Sequence, residues 1–196
     1  MKIPRIVIAG VTSGVGKTSI TTAIIYGLKK KGYSVQPFKV GPDFIDPSYL
    51  TSISNNVAYN LDIWMMEKNG VLKSFIQNSQ ADLSIIEGVM GYYDGFEGKS
   101  SFASTYDVAN TIKSHVILIL DASKAARSIA ATAMGFKNFE KNSRICGIIL
   151  NKIGSQKHEK LCRDALKKAG LPILGVIPRS NDLQLESRHL GLIPVK

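Results

Sequence analysis

Sulfur, acid and tryptophan are all scarce in this chain of 196 residues, and each shortage removes a class of protein. The two cysteines, Cys146 and Cys162, share no CxxC spacing, which leaves no zinc knuckle, dithiol centre or disulfide framework. Both are expected as free thiols buried in a reducing compartment. No apolar run approaches the roughly 20 residues a membrane helix needs, and no secretory signal precedes the first strand pattern, so a cytoplasmic chain without a membrane partner is expected. Acid is short by ten: 15 Asp+Glu stand against 25 Lys+Arg, a formal charge of +10 that favours anionic partners. The basic residues are scattered, however. Their only dense run, Lys29-Lys30-Lys31, falls late in a helical pattern, where cations complement the helix dipole. A nucleotide or a polycarboxylate therefore fits the charge better than nucleic acid. Repeats, low-complexity tracts and linkers are missing too, so one domain over residues 1–196 is expected.

What is present is alternation. Strand patterns at 5–10, 34–40, 82–88, 115–122, 144–152 and 172–178 are separated by helical patterns at 17–32, 66–80, 104–113, 125–139 and 156–170. The strands are continuous apolar runs rather than alternating ones, the mark of a parallel sheet covered on both faces. The expected fold is α/β: a doubly wound, mostly parallel sheet with right-handed crossovers. Ligands of such sheets sit at the carboxyl ends of the strands, so function is sought near 10–18, 39–49, 87–98, 121–127 and 151–154.

The stretch GVTSGVGKTS (10–19) joins the first strand to the first helix. Thr12, Ser13, Gly14, Val15, Gly16, Lys17, Thr18 and Ser19 read as a phosphate-binding loop. Backbone N–H groups of 14–16 would cradle phosphates at the helix N-terminus, Lys17 would reach the β/γ-phosphates, and the Thr18 hydroxyl would bind Mg²⁺. Strict spacing asks for glycine at Val11; Gly10 lies one residue early. Thr12 stands where partitioning and nitrogenase-type ATPases carry an extra lysine. NKIG (151–154) resembles the guanine-reading NKxD motif but puts Gly154 where the carboxylate belongs, which favours ATP over GTP. Asn151 stays a candidate adenine contact.

Carboxylates recur at the same strand ends. Glu87 closes an apolar strand and is well placed to hold Mg²⁺, directly or through water; a helix-capping or surface role is its alternative. Asp94 and Glu97 lie in a glycine-rich loop, where Asp94 is either an Asx-turn residue or a functional acid. FKVGPDFIDPSY (38–49) reads as a shaped loop in which Pro42 and Pro47 stiffen the backbone around Asp43 and Asp46, just behind Lys39. Turn chemistry alone would account for Pro-Asp and Asp-Pro, but a stiffened acidic pair at a sheet edge favours function.

Together, GVTSGVGKTS, FKVGPDFIDPSYL, YNLDIWMM, IIEGVMGYYDG, ILDASKAARSIAA, GIILNK and ESRHLGLIP resemble the N-terminal ATP-binding domain of the cobyrinic acid a,c-diamide synthase family. Nickel-sirohydrochlorin a,c-diamide synthase is similarly close, and cobyric acid synthase and dethiobiotin synthetase are more distant comparisons; the last offers no counterpart of GPDFIDP. The resemblance implies a P-loop NTPase fold of the dethiobiotin synthetase type and ATP-dependent amidation of tetrapyrrole acetate arms through an acyl phosphate. It assigns Lys39, Asp43, Asp46 and Asp94 to catalysis, and Thr18, Asp43 and Glu87 to Mg²⁺. Pro178 and Arg179 fall where relatives approach the adenine, and Arg188 and His189 in the closing motif become candidate ligand contacts. The expected partners are a tetrapyrrole polycarboxylate, a glutaminase domain or subunit as ammonia source, and a second copy in a homodimer. The glutaminase region of the family is absent here, and neither cysteine sits on a nucleophile elbow. Tyr92, Tyr93 and Phe96 are either stacking surfaces for the substrate or loop packing. A nickel-sirohydrochlorin a,c-diamide synthase of coenzyme F430 biosynthesis, a dethiobiotin synthetase-like ligase and a partitioning-type nucleotide switch are the other functional readings.

Overall fold

A computed structural model describes residues 3–180. The seven strands are β1 (Arg5–Gly10), β2 (Val35–Val40), β3 (Tyr59–Leu61), β4 (Leu83–Glu87), β5 (His115–Asp121), β6 (Ile145–Ile153) and β7 (Ile173–Pro178). They form one sheet in the order β3-β2-β4-β1-β5-β6-β7, with every pairing parallel. Chain order reverses direction around β1: β2 to β4 lie on one side, and the chain then crosses to β5 on the other. Such a switch point opens a crevice at the strand ends, and the loop after β1 fills it.

Strand residues alternate between two cores. Ile8, Ile85, Ile119 and Ile149 face α1 (Lys17–Lys30) and α2 (Ile45–Ser54), while Val7, Phe38, Ile86, Leu118 and Leu150 face the other way. That second core receives α3 (Ile63–Asn78), α4 (Thr105–Thr111), α5 (Ser128–Asn138) and α6 (Gln156–Leu166). Burial on both faces is why the strands carry apolar residues at successive positions. Each large side chain removed from water, such as Phe38 or Phe75, contributes about 1.5–3 kcal/mol. The lysine run behaves as a helix end: Lys29 and Lys30 lie in the last turn of α1, and the Lys29 ammonium donates to the Ile53 carbonyl at 2.6 Å, capping α2 as well.

Several expectations change. Within 38–49 only Gly41 to Phe44 is loop: residues 38–40 end β2, and Ile45 begins α2, with Asp46 and Pro47 in its first turn. Proline is tolerated there because a first-turn N–H has no intrahelical partner to lose, and Asp46 suits the positive end of the dipole. The short strand β3 also escaped the pattern, since three residues are too few to show one. Helix α3 begins at Ile63, not 66, and breaks at Glu67, whose φ of 56° and ψ of 170° are not helical. Cys146 is exposed rather than buried, whereas Cys162 is buried. The pairing runs Val116 with Ile145 and then Ile117 with Gly147, so Cys146 is the extra residue of a bulge. His158 is structural, accepting from Gly154 N at 3.2 Å and meeting the Ala125 carbonyl at 2.7 Å.

Candidate active site

Three adjacent strands, β2, β4 and β1, deliver their last residues to one spot. Lys39 precedes the end of β2 and pairs in register with Glu87, the last residue of β4. The Lys39 ammonium donates to Asp46 Oδ2 at 2.6 Å, Glu87 Oε1 at 3.0 Å and the Gly88 carbonyl at 3.2 Å, with Asp43 Oδ2 at 3.9 Å. From the first turn of α1, the Thr18 hydroxyl donates to the same Glu87 oxygen at 2.7 Å. Lys39, Asp46 and Glu87 are all nearly inaccessible to water. A buried ion pair contributes little net stability against desolvation, so three buried charges at a strand edge make this cluster the candidate site.

The charges perturb one another. Burial works against the Lys39 charge, but Glu87 and Asp46 outweigh it and raise its pKa above the usual value. Burial raises the Glu87 pKa, against the pull of Lys39 and with the added push of the Asp46 charge. Burial and the nearby Lys39 lower Lys17 to about 8. The Lys17 ammonium donates to the Thr12 carbonyl at 3.0 Å and the Met90 carbonyl at 2.6 Å, tying the phosphate loop to the loop after β4.

The phosphate loop is held from behind. Gly16 adopts φ 96° at the N-cap of α1, and a Cβ there would collide with the Asn151 amide. Only glycine meets both demands. Asn151 donates to the Val15 carbonyl at 2.8 Å and accepts from Lys152 N at 2.9 Å, so both ends of its amide are engaged within the protein. Its place is under the loop rather than open toward a base. Thr12, Ser13 and Gly14 line the exposed mouth, Val15 is buried below it, and Ser19 is half-buried in the first turn of α1.

Asp43 and Asp46 divide their tasks. Asp43 is partly exposed; its Oδ1 accepts from Ile45 N at 2.8 Å and Asp46 N at 3.2 Å, starting α2. Asp46 is thereby turned inward to Lys39. Asp94 is exposed, its Oδ2 accepting at 2.8 Å from Gly91 N three residues earlier, a contact that closes the loop from the opposite side to an Asx turn, and its charge still reaches Lys17. Pro178 ends β7 and Arg179 N donates to the Ile153 carbonyl at 2.8 Å, which puts both at the same carboxyl edge, three strands from β1. Arg188 and His189 lie outside the described residues. Of the loop aromatics, Tyr92 and Tyr93 are packing residues: their hydroxyls donate to the Ser143 and Phe136 carbonyls, and Tyr92 is fully buried. Phe96 is exposed and stacks on Trp64.

Four residues of the site went unread in the sequence. Asn60 donates to the Asp43 carbonyl at 2.8 Å, Met90 offers its carbonyl to Lys17, and Trp64 follows β3 at the same carboxyl edge. Asp62 caps α3 by accepting from Trp64 N at 2.8 Å. An aspartate directly before a helical run is a legible start signal; a backbone acceptor such as Met90 leaves none.

The donor set suits a hard divalent cation. Glu87 Oε2 is buried and finds no hydrogen-bond partner among the described residues, and the Thr18 hydroxyl lies against the other oxygen of that carboxylate. No group of three His, Cys, Asp or Glu among the described residues could hold a metal alone.

Comparison with known proteins gives the family. The family model described as the CobQ/CobB/MinD/ParA nucleotide binding domain matches residues 6–193. A cobyrinate a,c-diamide synthase of Dehalococcoides mccartyi is 43% identical over 98% of this chain, and one of Synechococcus is 45% identical over 96%. A hydrogenobyrinate a,c-diamide synthase of Streptomyces coelicolor is 43% identical over 98%. The chain spans only 42%, 42% and 40% of those three relatives. Chloroplast FtsY from Physcomitrella patens superposes with a TM-score of 0.64 at 16% identity, covering 90% of this chain and 59% of that one, a likeness of fold.

Proposed function

Because the chain belongs to the CobQ/CobB/MinD/ParA nucleotide-binding domain family, we propose that it is the synthetase part of an amidoligase. It uses ATP to convert the a and c acetate carboxylates of cobyrinate, or of a related tetrapyrrole, into amides. The observation that carries this reading is the buried cluster of Lys39, Asp46 and Glu87 joined to Thr18 of the phosphate loop, which sets carboxylate-handling groups against phosphate-handling ones.

A carboxylate oxygen is a poor leaving group, so it must first be activated. A substrate acetate oxygen attacks the γ-phosphorus of ATP, ADP departs, and an acyl phosphate forms. Ammonia then adds to the acyl carbon, gives up a proton, and the carbon–oxygen bond to phosphate breaks, leaving amide and inorganic phosphate. Lys17 and the backbone N–H groups of Gly14, Val15 and Gly16 hold the phosphates. Lys39 neutralises charge where acetate and γ-phosphate meet, and preorganised cations of this kind supply most of the catalysis in phosphoryl transfer. Thr18 and Glu87, with Asp43 beside them, would hold Mg²⁺, which supplies charge neutralisation on the phosphates. Asp46 orients Lys39, and Asp43 and Asp94 stand where a proton from ammonia can be accepted. The missing carboxylate at Gly154 selects ATP over GTP. Ammonia comes from glutamine through a glutaminase region or subunit, and free ammonium takes its place in the assay below.

The test is incubation with ATP, Mg²⁺, ammonium and cobyrinate or hydrogenobyrinate, read by mass spectrometry. Mass changes at one and then two carboxylates are expected, with ADP formed in step. ATP turnover that ignores every tetrapyrrole and answers only to a protein partner would contradict the proposal and favour a nucleotide switch.

A further inference from the structure

Beside the buried cluster lies an apolar surface that the chemistry above does not use. Trp64 and Phe96 are stacked, ring centroids 3.9 Å apart and planes 11° off parallel, yet each is 56% exposed. Phe102 meets Trp64 edge-on at 6.3 Å, and Met65, Met90 and Phe44 are exposed nearby in sequence, Phe44 at 89%. All six belong to the segments that follow β2, β3 and β4 at the carboxyl edge. Scattered exposed apolar residues need no explanation, but an aromatic trio in mutual contact and left open to solvent does.

The pair is held rigidly. Trp64 N is fixed by the Asp62 cap, and α3 breaks three residues later at Glu67, φ 56°. The loop carrying Phe96 is pinned at both ends by residues of positive φ, Met90 at 47° and Ala103 at 59°, and Phe96 N donates to the Phe102 carbonyl at 3.0 Å. Non-glycine residues in that region carry strain, which clusters at ligand sites. Both halves of the pair are anchored to the Lys39 site: the Leu61 carbonyl, just before Trp64, accepts from Gly41 N at 3.1 Å, and the loop to Phe96 begins at Gly88, whose carbonyl holds Lys39.

We propose that the exposed rims of the stacked Trp64 and Phe96 rings form an apolar ledge against which the tetrapyrrole macrocycle packs, so that an acetate arm at the ring edge reaches Lys39 and Asp46. This rests on the amidoligase reading and adds the residues that recognise the ring rather than its carboxylates. Phe44, beside Asp43, borders the same face. An apolar ledge selects for a large flat ring, whereas charge alone would accept any polycarboxylate.

Trp64 is the sole tryptophan of the chain, so its emission reports on the ledge directly. With Mg²⁺ and a non-hydrolysable ATP analogue present, cobyrinate should quench that emission saturably, after correction against free tryptophan for absorption by the pigment; citrate should not. In amidation assays Trp64→Ala should raise KM for cobyrinate about tenfold, the size of a lost aromatic stack, with a smaller effect on kcat. Trp64→Phe should restore most of the loss, and Tyr33→Ala, an exposed aromatic on another surface, should change nothing. Unaltered nucleotide affinity in Trp64→Ala confirms that the variant is folded. Emission indifferent to cobyrinate, or an unchanged KM in both Trp64→Ala and Phe96→Ala, overturns the ledge while leaving amidation standing. A blue shift that grows with protein concentration and ignores cobyrinate marks a self-association face and also overturns it. Saturable quenching in a chain that amidates no tetrapyrrole keeps the ledge and removes the amidoligase reading.

Discussion

Asp46 is the residue on which the site turns, because it both neutralises and aims Lys39 from 2.6 Å. Asp46→Asn keeps the shape and removes the charge. ATP affinity, carried by the phosphate loop, should stay within about threefold, while amidation should fall at least about 100-fold, the scale on which electrostatic groups act in catalysis. Nucleotide titration beside a product assay checks the split; equal loss of both would make α2 a purely structural element. Lys39, Asp46 and Glu87 were all legible from residue type, strand-end position and the stiff prolines around them. Their division of labour was not, because it depends on which oxygen faces which partner. Asp43 looks identical to Asp46 in sequence, yet it spends one oxygen on the N-terminus of α2. Phe96 and Tyr92 also share one loop, but only the fold shows that Tyr92 turns into the core while Phe96 turns out.

Among the elements, the loop into α1 and the start of α3 carry the most unusual backbone. Gly16→Ala should abolish nucleotide binding by driving a methyl group into Asn151 at a positive φ, whereas Gly14→Ala, with open space around it, should weaken binding only by the cost of its φ of 74°. Isothermal titration with ATP would rank the two, and equal effects would mean that the Asn151 contact is unimportant. Glu67→Gly tests the break in α3: glycine accepts φ 56° without strain, so thermal stability should rise by about 1 kcal/mol despite the added chain entropy of the unfolded state. A loss instead would show that the Glu67 side chain anchors the kink. Helix and strand order was readable from apolar periodicity. The start of α2 was hidden because Asp-Pro reads equally as a turn and as the first turn of a helix. Strand β3 is too short to carry a period, and the bulge at Cys146 leaves no trace in residue type.

For the whole molecule, the doubly wound sheet gathers residues from Thr12 to Arg179 at one edge, and its stability depends on a tyrosine cluster behind that edge. Burial, then the charge of Tyr93, raises the pKa of Tyr92, and burial, then that of Tyr106, raises the pKa of Tyr93. A phenol with a pKa raised on folding keeps its proton longer in the folded chain. Its contribution is therefore complete below about pH 10, the unfolded value, and is lost as pH rises further. The urea midpoint should hold steady up to about pH 9 and drop by pH 11, more steeply than in Tyr92→Phe, which removes one titrating group at the cost of a hydrogen bond to Ser143; parallel slopes would point to other groups. The central claim, that a substrate carboxylate is activated by phosphoryl transfer across this edge, is tested most directly by isotope. Cobyrinate bearing heavy oxygen in its acetate carboxylates is incubated with the chain, ATP, Mg²⁺ and ammonium, and the released phosphate is examined for label. One heavy oxygen should appear in phosphate for each amide formed. Amide formed with no label in the phosphate would contradict it.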